Sequence, residues 1–287
     1  MKLVLGTVQF GLIYGVATNG ARPSDAEIRD TLALAHRYGI RSLDTAPLYG
    51  DIESRLETLC AGLPFSIVSK IPPVPDDLES GDVSAWALQS ANLTLDRLGE
   101  NLTGLLFHRA EDLVREDGAD LWQSVVNWAR SKNVSVGVSG YGPEVVRSLS
   151  HIREISILQL PGNAFDQRLR TLAKSANSAP LLQLRSAFLQ GLLLLPLEVA
   201  AARLPAALAP LQRWHTWLQD HSLSALQGAL SIVKGFENTH SCVIGVDNAS
   251  QLEEILDVWD QVHPIRADEL AILDTRVIDP RSWEASE

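Results

Sequence analysis

The sequence places four side chains capable of acid–base chemistry at or near the ends of apolar, strand-like runs. Asp44 ends such a run, Lys70 and His108 each follow one directly, and Tyr49 lies in the segment after Asp44. A free phenol has a pKa of about 10 and is a weak acid at neutrality, but a nearby ammonium favours the phenolate. A carboxylate can hold that ammonium in place, and an imidazole can orient a substrate oxygen. Together these residues predict a proton donor centred on Tyr49.

This group of side chains suits the reduction of a carbonyl, in which negative charge develops on oxygen as hydride reaches carbon. The chain has no hydride source of its own, so a nicotinamide cofactor is predicted. Asp44 and Lys70 alone could be a structural ion pair, and His108 alone could be a core residue, but their occurrence with Tyr49 favours the catalytic interpretation. A barrel glycosidase needs two facing carboxyl groups at the mouth, and only Asp44 is suitably placed at a strand end.

A repeating unit is expected to position these residues: a short apolar run, a loop and an amphipathic segment. Several runs are apolar without alternation, as parallel strands buried on both faces should be. Eight strands alternating with helices predict a closed (β/α)8 TIM barrel of the α/β class, formed as a single domain over residues 1–287. No G-x-G-x-x-G follows the first strand, which disfavours a Rossmann sheet. The predicted strands are Lys2–Leu5, Arg41–Asp44, Phe65–Ser69, Thr103–Phe107, Ser135–Val138, Ile155–Leu160, Leu181–Leu184 and Ser241–Ile244.

The helices of this pattern are predicted from capping signals and apolar spacing. Capping boxes are expected at Ser24–Glu27 and at Ser250–Glu253. An amphipathic helix is expected over Asp120–Lys132. Leu204–Val233 should form one or two helices, with two prolines interrupting its start. Glu144–His151 looks like the shortest helix.

Composition restricts the classes of partner. The chain has 287 residues and a formal net charge of −11, which opposes binding to nucleic acid or to an anionic membrane surface. The apolar stretch Leu181–Leu197 contains Gln and Arg and is too polar for a membrane span. Two cysteines provide no disulfide framework, so a cytoplasmic protein is expected. The histidines other than His108 show no metal-ligand spacing, and no metal site is predicted. The oligomeric state stays open.

The residues at the strand ends continue into motifs that resemble the aldo-keto reductase superfamily over nearly the whole chain. The motifs are LGTVQFG (5–11), LDTAPLYG (43–50), LLFHR (105–109), GVSGYG (137–142), LQLPGNAFDQR (158–168), RSAFLQGLL (185–193) and VIGVDNASQLEE (243–254). The resemblance implies a (β/α)8 barrel that interconverts a carbonyl (aldehyde, ketone or sugar) and an alcohol. It also implies Tyr49 as general acid/base, Lys70 paired to Asp44, and His108 as the residue that orients the carbonyl.

The same resemblance implies an NADP(H) cofactor, but this chain departs from the family pattern. No Lys or Arg lies within Val243–Ile255, where a basic clamp for the 2′-phosphate is expected, so NAD(H) or dual use stays open. Arg185 stands where many members stack Tyr on the nicotinamide. It is interpreted either as a contact to cofactor or substrate or as part of a structural salt bridge. The cofactor-binding residues implied are Gly6, Thr7, Ser139, Gln159, Arg185, Ser186, Gly245, Asp247, Gln251 and Glu254.

A second function from a different class is a cofactor-binding sensor or regulatory subunit on the same barrel with weak catalysis. Such a protein would be expected to keep the cofactor contacts and lose part of the catalytic set, whereas all four residues are present here. The physiological substrate is not readable from the sequence, because specificity in this fold resides in loops.

Overall fold

The computed structural model describes residues 1–18, 20–149, 152, 154–171 and 180–283. Eight parallel strands form a closed barrel in chain order, and the last strand pairs with the first. This confirms the predicted fold class. The strands are β1 (Lys2–Gly6), β2 (Ser42–Asp44), β3 (Ser66–Ile71), β4 (Leu102–Phe107), β5 (Ser135–Ser139), β6 (Ile157–Pro161), β7 (Leu181–Arg185) and β8 (Ser241–Gly245).

Most strands extend beyond their predicted carboxyl ends. The polar residues Lys70, Ser139 and Arg185 belong to the strands themselves and keep the parallel register with their neighbours. Ladder pairing uses only backbone groups, so a polar side chain does not end a strand. The consequence is that these side chains are fixed by the barrel rather than carried on loops.

Helices accompany the strands throughout the described part of the chain. Within those ranges, no helix has both the length and the apolar character needed to cross a bilayer. The helices are α1 (Val8–Gly11), α2 (Asp25–Arg37), α3 (Ile52–Leu59), α4 (Val83–Leu98), α5 (Gly118–Lys132), α6 (Pro143–Ser148), α7 (Leu197–Arg203), α8 (Leu208–Asp220), α9 (Ala225–Lys234), α10 (Ala249–Gln261) and α11 (Thr275–Ile278).

Capping explains where several helices begin. The predicted Ser24–Glu27 capping box is confirmed at the start of α2. A second box at Ser224–Gln227 starts α9 and divides the predicted Leu204–Val233 segment, so two helices form there. Pro210 lies in the first turn of α8, where the missing backbone N–H has no helical partner to lose.

Two helix predictions are wrong. Ser250 does not cap α10: Asn248 has extended backbone, and its side chain accepts a hydrogen bond from the Gln251 backbone N–H. An asparagine two residues earlier therefore supplies the cap, and Ser250 lies inside the helix. The Glu144–His151 helix is observed as α6, but α1 and α11 are shorter. His151 lies outside the described residues.

Side chains fill the inside of the barrel beneath the catalytic candidates. Val68, Leu106 and Ile157 form a separate buried cluster. Because alternate residues of a strand point the same way, these positions lie one layer below Lys70, His108 and Gln159. Gly104 belongs to this layer, since a Cβ there would lie 3.1 Å from both Ile157 and Val68. The polar mouth therefore rests on a packed apolar floor.

A buried carboxylate ties β3 to two helices beside Lys70. Glu53 on α3 accepts hydrogen bonds from the Ser69 hydroxyl at 2.5 Å and the Thr94 hydroxyl at 3.2 Å. It also pairs with the Arg97 guanidinium at 2.8 Å. Sequence patterns gave no sign of this cluster. Its hydrogen bonds fix the strand at the residue that precedes Lys70.

Both cysteines, Cys60 and Cys242, are buried and free. Burial raises the pKa of each thiol to about 12. Neither side chain therefore forms the reactive thiolate at neutral pH.

Candidate active site

A cavity of about 680 Å³ opens at the carboxyl ends of the strands. It brings together every site residue predicted from the sequence. These residues are Gly6, Thr7, Asp44, Tyr49, Lys70, His108, Ser139, Gln159, Arg185, Ser186, Gly245, Asp247, Gln251 and Glu254.

Lys70 is the best-anchored charge in this cavity. Its ammonium donates to Asp44 Oδ1 at 2.7 Å and to the Thr45 carbonyl at 2.9 Å, and its side chain is 1% exposed. Burial disfavours the ammonium, but the Asp44 carboxylate and Tyr49 outweigh burial and raise the pKa of Lys70 above its usual value. Lys70 is therefore a permanent cation at neutral pH. Its ammonium lies 5.0 Å from the centre of the Tyr49 ring.

Two glycines position the segment that carries Tyr49. A Cβ on Gly11 would lie 1.7 Å from the Tyr49 carbonyl oxygen, so only glycine allows α1 to approach this segment. Gly50 has a φ of 67°, and a Cβ there would lie 2.4 Å from the Gly11 carbonyl oxygen. This close backbone contact fixes Tyr49 over the mouth of the barrel.

The acidity of Tyr49 differs from the sequence expectation. Burial raises the pKa of Tyr49 above its usual value, and the positive charge of Lys70 is the largest influence that lowers it. The direction predicted for Lys70 is right, but the expectation of a net depressed phenol pKa is wrong. The physical reason is the loss of hydration around the phenolate, which sequence spacing does not reveal. Tyr49 is therefore protonated at neutral pH, as a proton donor must be.

His108 stands edge-on to Tyr49, with ring centroids 5.9 Å apart and ring planes at 86°. Burial, reinforced by the positive charges of Lys70 and Arg185, lowers the pKa of His108 to about 3. The imidazole is thus neutral at physiological pH. Its Nδ1 is buried and has no hydrogen-bond partner among the described residues. A neutral ring in this position can direct a substrate oxygen but cannot serve as a strong acid.

The depressed pKa of His108 predicts an acid-sensitive contribution to stability. The unfolded chain binds a proton at His108 below a pH of about 6.5, whereas the folded protein does so only near pH 3. Stability should fall as pH drops through this interval, by about 2 kcal/mol at pH 5. Urea unfolding at pH 7.5 and 5.0 should show this loss in the wild type and a smaller loss in His108→Gln. Equal losses in the two proteins would contradict the assignment.

Gln159 is part of a buried chain of hydrogen bonds to Asp44. Its amide donates to Asp44 Oδ2 at 2.7 Å and to Gln183 Oε1 at 2.6 Å, and its oxygen accepts from the Ser139 hydroxyl at 3.0 Å. Gln183 in turn donates to the Ser241 hydroxyl at 3.2 Å. Both N–H groups of Gln159 are committed, so Asp44 is held by Lys70 on one oxygen and by Gln159 on the other.

Arg185 lines the cavity without an ion-pair partner among the described residues. Its guanidinium donates to the Gly140 carbonyl at 3.0 Å and to the Ser186 hydroxyl at 3.2 Å. It also lies 4.2 Å from the centre of the Tyr141 ring, which the Arg281 guanidinium contacts as well at 3.5 Å. Among the described residues, the alternative of a structural salt bridge at Arg185 is therefore not realised.

The β8 end of the cavity carries carboxylates. Asp247 and Glu254 both line it. The Gln251 side-chain oxygen accepts a hydrogen bond from the Asp247 backbone N–H at 2.8 Å, which closes a loop. The Gln9 amide lies against Gly245, where a Cβ would come within 2.4 Å of it. The basic side chains that line the cavity are Lys70, His108 and Arg185, and the sequence from 243 to 255 contributes none.

Several cavity residues were missed by sequence reasoning. Gln9, Tyr14, Tyr141 and Gln190 line the cavity, and Gln183 joins the hydrogen-bond chain beneath it. Tyr141 follows Ser139 by two positions, and Gln183 precedes Arg185 by two. The period of a strand could have identified Gln183 within β7, whereas Tyr141 lies beyond the end of β5. No such signal existed for Tyr14, because it lies in a segment without regular structure.

Comparison with known protein families agrees with the geometry of the cavity. The model of the Aldo/keto reductase family matches residues 2–277. The chain belongs to the aldo-keto reductase family. Membership supports an NAD(P)-dependent oxidoreductase acting on carbonyl compounds in general terms. No curated protein matches the chain closely enough to count as a relative.

Solved structures of aldo-keto reductases share the fold at low sequence identity. A glycerol dehydrogenase from Gluconobacter oxydans is 18% identical, with 97% of this chain and 93% of that one covered and a TM-score of 0.69. An aldo-keto reductase from Bacillus halodurans in its holo form is 15% identical, with 99% and 93% covered and a TM-score of 0.70. A Pseudomonas aeruginosa protein assigned to the same family is 23% identical, with 90% and 89% covered and a TM-score of 0.65.

Proposed function

We propose that this aldo-keto reductase interconverts a small aldehyde, ketone or sugar and the corresponding alcohol, with Tyr49 as the general acid/base. The observation that carries the proposal is the Asp44–Lys70 ion pair beside Tyr49, with a neutral His108 edge-on to the phenol. All four side chains face one cavity. Barrel-end catalytic residues contributed by different strands are the usual arrangement in this architecture.

A nicotinamide dinucleotide fits the residues that line the cavity. Gln9 Oε1 is buried there without a hydrogen-bond partner among the described residues, and Gly6 and Gly245 line the same cavity. Ser139 and Gln159 are proposed to hold the carboxamide, because the Gln159 oxygen keeps one lone pair beyond its bond to Ser139. When bound, the cofactor supplies or accepts the hydride.

The chain's own residues handle the proton. His108 orients the carbonyl through its neutral imidazole, and Tyr49 donates its hydroxyl proton to the carbonyl oxygen as negative charge develops there. The Lys70 ammonium stabilises the phenolate that results, and Asp44 keeps Lys70 in place. In alcohol oxidation the same groups act in reverse, with the Tyr49 phenolate accepting the proton.

Oxidation of NADH and NADPH, followed by absorbance over a set of aldehydes, ketones and sugars, tests the proposal. We expect cofactor consumption that depends on the carbonyl compound. Cofactor binding by fluorescence with no turnover on any carbonyl would favour the alternative of a sensor or regulatory subunit. That alternative has no observation in its favour here, because the catalytic set is complete.

The β8 end supports a weakened preference for NADP(H). A 2′-phosphate there would meet the carboxylates of Asp247 and Glu254 and no Lys or Arg from residues 243–255. Carboxylates instead suit the ribose hydroxyls of NAD(H), which donate hydrogen bonds. Arg168 cannot supply the missing charge, because it is held by Asp166 and the Tyr141 carbonyl. Arg203 is exposed and does not line the cavity.

Fluorescence titration of NADH and NADPH is expected to show a weakened preference, with NADPH binding less than a hundredfold tighter than NADH. Gln251→Arg places a guanidinium on the cavity wall within the 243–255 segment, and it should shift the affinity ratio towards NADPH by about 10- to 150-fold, the usual size of a charge-assisted contact. Gln251→Met removes the same bond to Asp247 without adding charge and is the matched control. NADPH binding a hundredfold tighter in the wild type would contradict the prediction.

The partners proposed are small molecules, a carbonyl compound or its alcohol, and no nucleic acid or membrane. Cytoplasmic location and a single domain over residues 1–287 stay predictions. The presence of two buried free thiols supports a reducing compartment.

A further inference from the structure

We propose that Arg185 selects substrates that carry an anionic oxygen group, a carboxylate or a phosphate ester, close to the reacting carbonyl. The inference rests on the proposed function and adds the substrate class. Its basis is the single guanidinium that faces the cavity from the described residues with hydrogen-bonding capacity to spare.

Arg185 has N–H groups that no protein acceptor uses. A guanidinium has five N–H groups, and protein acceptors take two of them here, the Gly140 carbonyl and the Ser186 hydroxyl. No carboxylate of the described residues pairs with it, whereas the ammonium of Lys70 is already matched by Asp44. Arg185 is half-buried, so its charge is less screened than a surface charge. An incoming anion would find N–H donors that form no ion pair with a described carboxylate, since the nearby Asp279 is paired with Arg281.

The Arg185 side chain points its unused N–H groups towards the catalytic residues rather than towards the β8 loop. Arg185 ends β7, whose neighbours in the barrel are β6 and β8. Its guanidinium reaches across β6 to the Gly140 carbonyl, which follows β5, and therefore points away from the β8 loop. Burial is the main cause of the shifted pKa values of His108 and Tyr49, and the positive charge of Arg185 makes a smaller contribution that favours a lower pKa at both. Arg185 thus acts electrostatically on the groups that receive the carbonyl.

Neighbouring groups hold the Arg185 guanidinium in a fixed orientation. The Tyr141 ring lies against it at 4.2 Å, and two hydrogen bonds fix its plane. A planar fork held in place loses little entropy when it binds a carboxylate or phosphate through two parallel N–H bonds. The formal charge of −11 on the chain repels anions in general, so a local cation is what an anionic substrate would need.

Pairs of substrates that differ in one anionic group test the inference. Succinic semialdehyde is compared with butanal, and glyceraldehyde 3-phosphate with glyceraldehyde, in the wild type, Arg185→Met and Arg185→Lys. We expect the wild type to favour the anionic member of at least one pair in kcat/KM. Arg185→Met should reduce that preference by about 10- to 150-fold, and Arg185→Lys should recover only part of it. The pair that responds identifies carboxylate or phosphate as the group bound.

Arg281→Met is the matched control, because Arg281 contacts the same Tyr141 ring but is paired with Asp279 and does not line the cavity. It should keep the preference. Calorimetry of 4-hydroxybutyrate against 1-butanol, and of glycerol 3-phosphate against glycerol, measures the same selectivity without turnover. Equal binding within both pairs, or an Arg185→Met variant that loses NADH affinity while keeping the preference, would overturn the inference. A wild type that binds the anions selectively but reduces no carbonyl would instead defeat the proposed function alone.

Discussion

Tyr49→Phe is expected to lower kcat for carbonyl reduction by about 10²- to 10⁴-fold, the usual contribution of a positioned general acid. The variant keeps the ring that His108 and Lys70 contact and removes only the hydroxyl that would donate the proton. Cofactor affinity should be almost unchanged, because no predicted cofactor contact is made by this hydroxyl. Single-turnover kinetics and a fluorescence titration of the cofactor measure the two quantities separately.

Tyr14→Phe is the control variant for the loss of kcat expected in Tyr49→Phe. Tyr14 also lines the cavity, and its hydroxyl accepts a hydrogen bond from Gln190 at 3.2 Å. Besides burial, Lys70 and Asp44 act on the pKa of Tyr49, but neither is among the groups that act on the pKa of Tyr14, so this variant should lose far less activity than Tyr49→Phe. Normal turnover in Tyr49→Phe, or losses of equal size in the two variants, would remove Tyr49 from the proton-transfer step.

The catalytic candidates could be predicted because position along a parallel strand carries chemical meaning. A polar residue at the carboxyl end of a buried strand has few structural reasons to be there, and all strands of a closed barrel end at one mouth. Asp44, Lys70 and His108 are predicted from the sequence for this reason. Tyr49 followed from its place in the segment after Asp44.

The connections between these residues could not be predicted, because they depend on register and burial. The chain from Asp44 through Gln159 to Gln183 requires Gln159 and Gln183 to be level on neighbouring strands, which the observed pairing provides. The net rise in the pKa of Tyr49 depends on how much water the fold removes from the phenol. Asn248, and not the predicted Ser250, caps α10. Both residue types suit a cap, and the backbone conformation decides between them.

Lys70→Met is expected to affect both stability and the pH dependence of the reaction. It leaves the Asp44 carboxylate buried with its ion pair broken, which typically costs about 3–5 kcal/mol in the free energy of unfolding. It also removes the largest influence that lowers the pKa of Tyr49. The phenolate then forms at higher pH, so the rising limb of kcat against pH for alcohol oxidation should move upward. Reduction should slow as well, because the phenol becomes a weaker acid.

The double variant Asp44→Asn with Lys70→Met separates the two effects. Replacing the carboxylate by a neutral amide removes the unpaired buried charge, so urea unfolding should show most of the lost stability restored. The pH limb should move back only in part, because Asp44→Asn removes a carboxylate that raises the pKa of Tyr49, while the ammonium that lowers it more strongly is still missing. If the double variant recovers stability and also the wild-type pH profile, Lys70 acts only through folding. A displaced limb in a stably folded protein would instead show that the charge of Lys70 acts on the phenol itself.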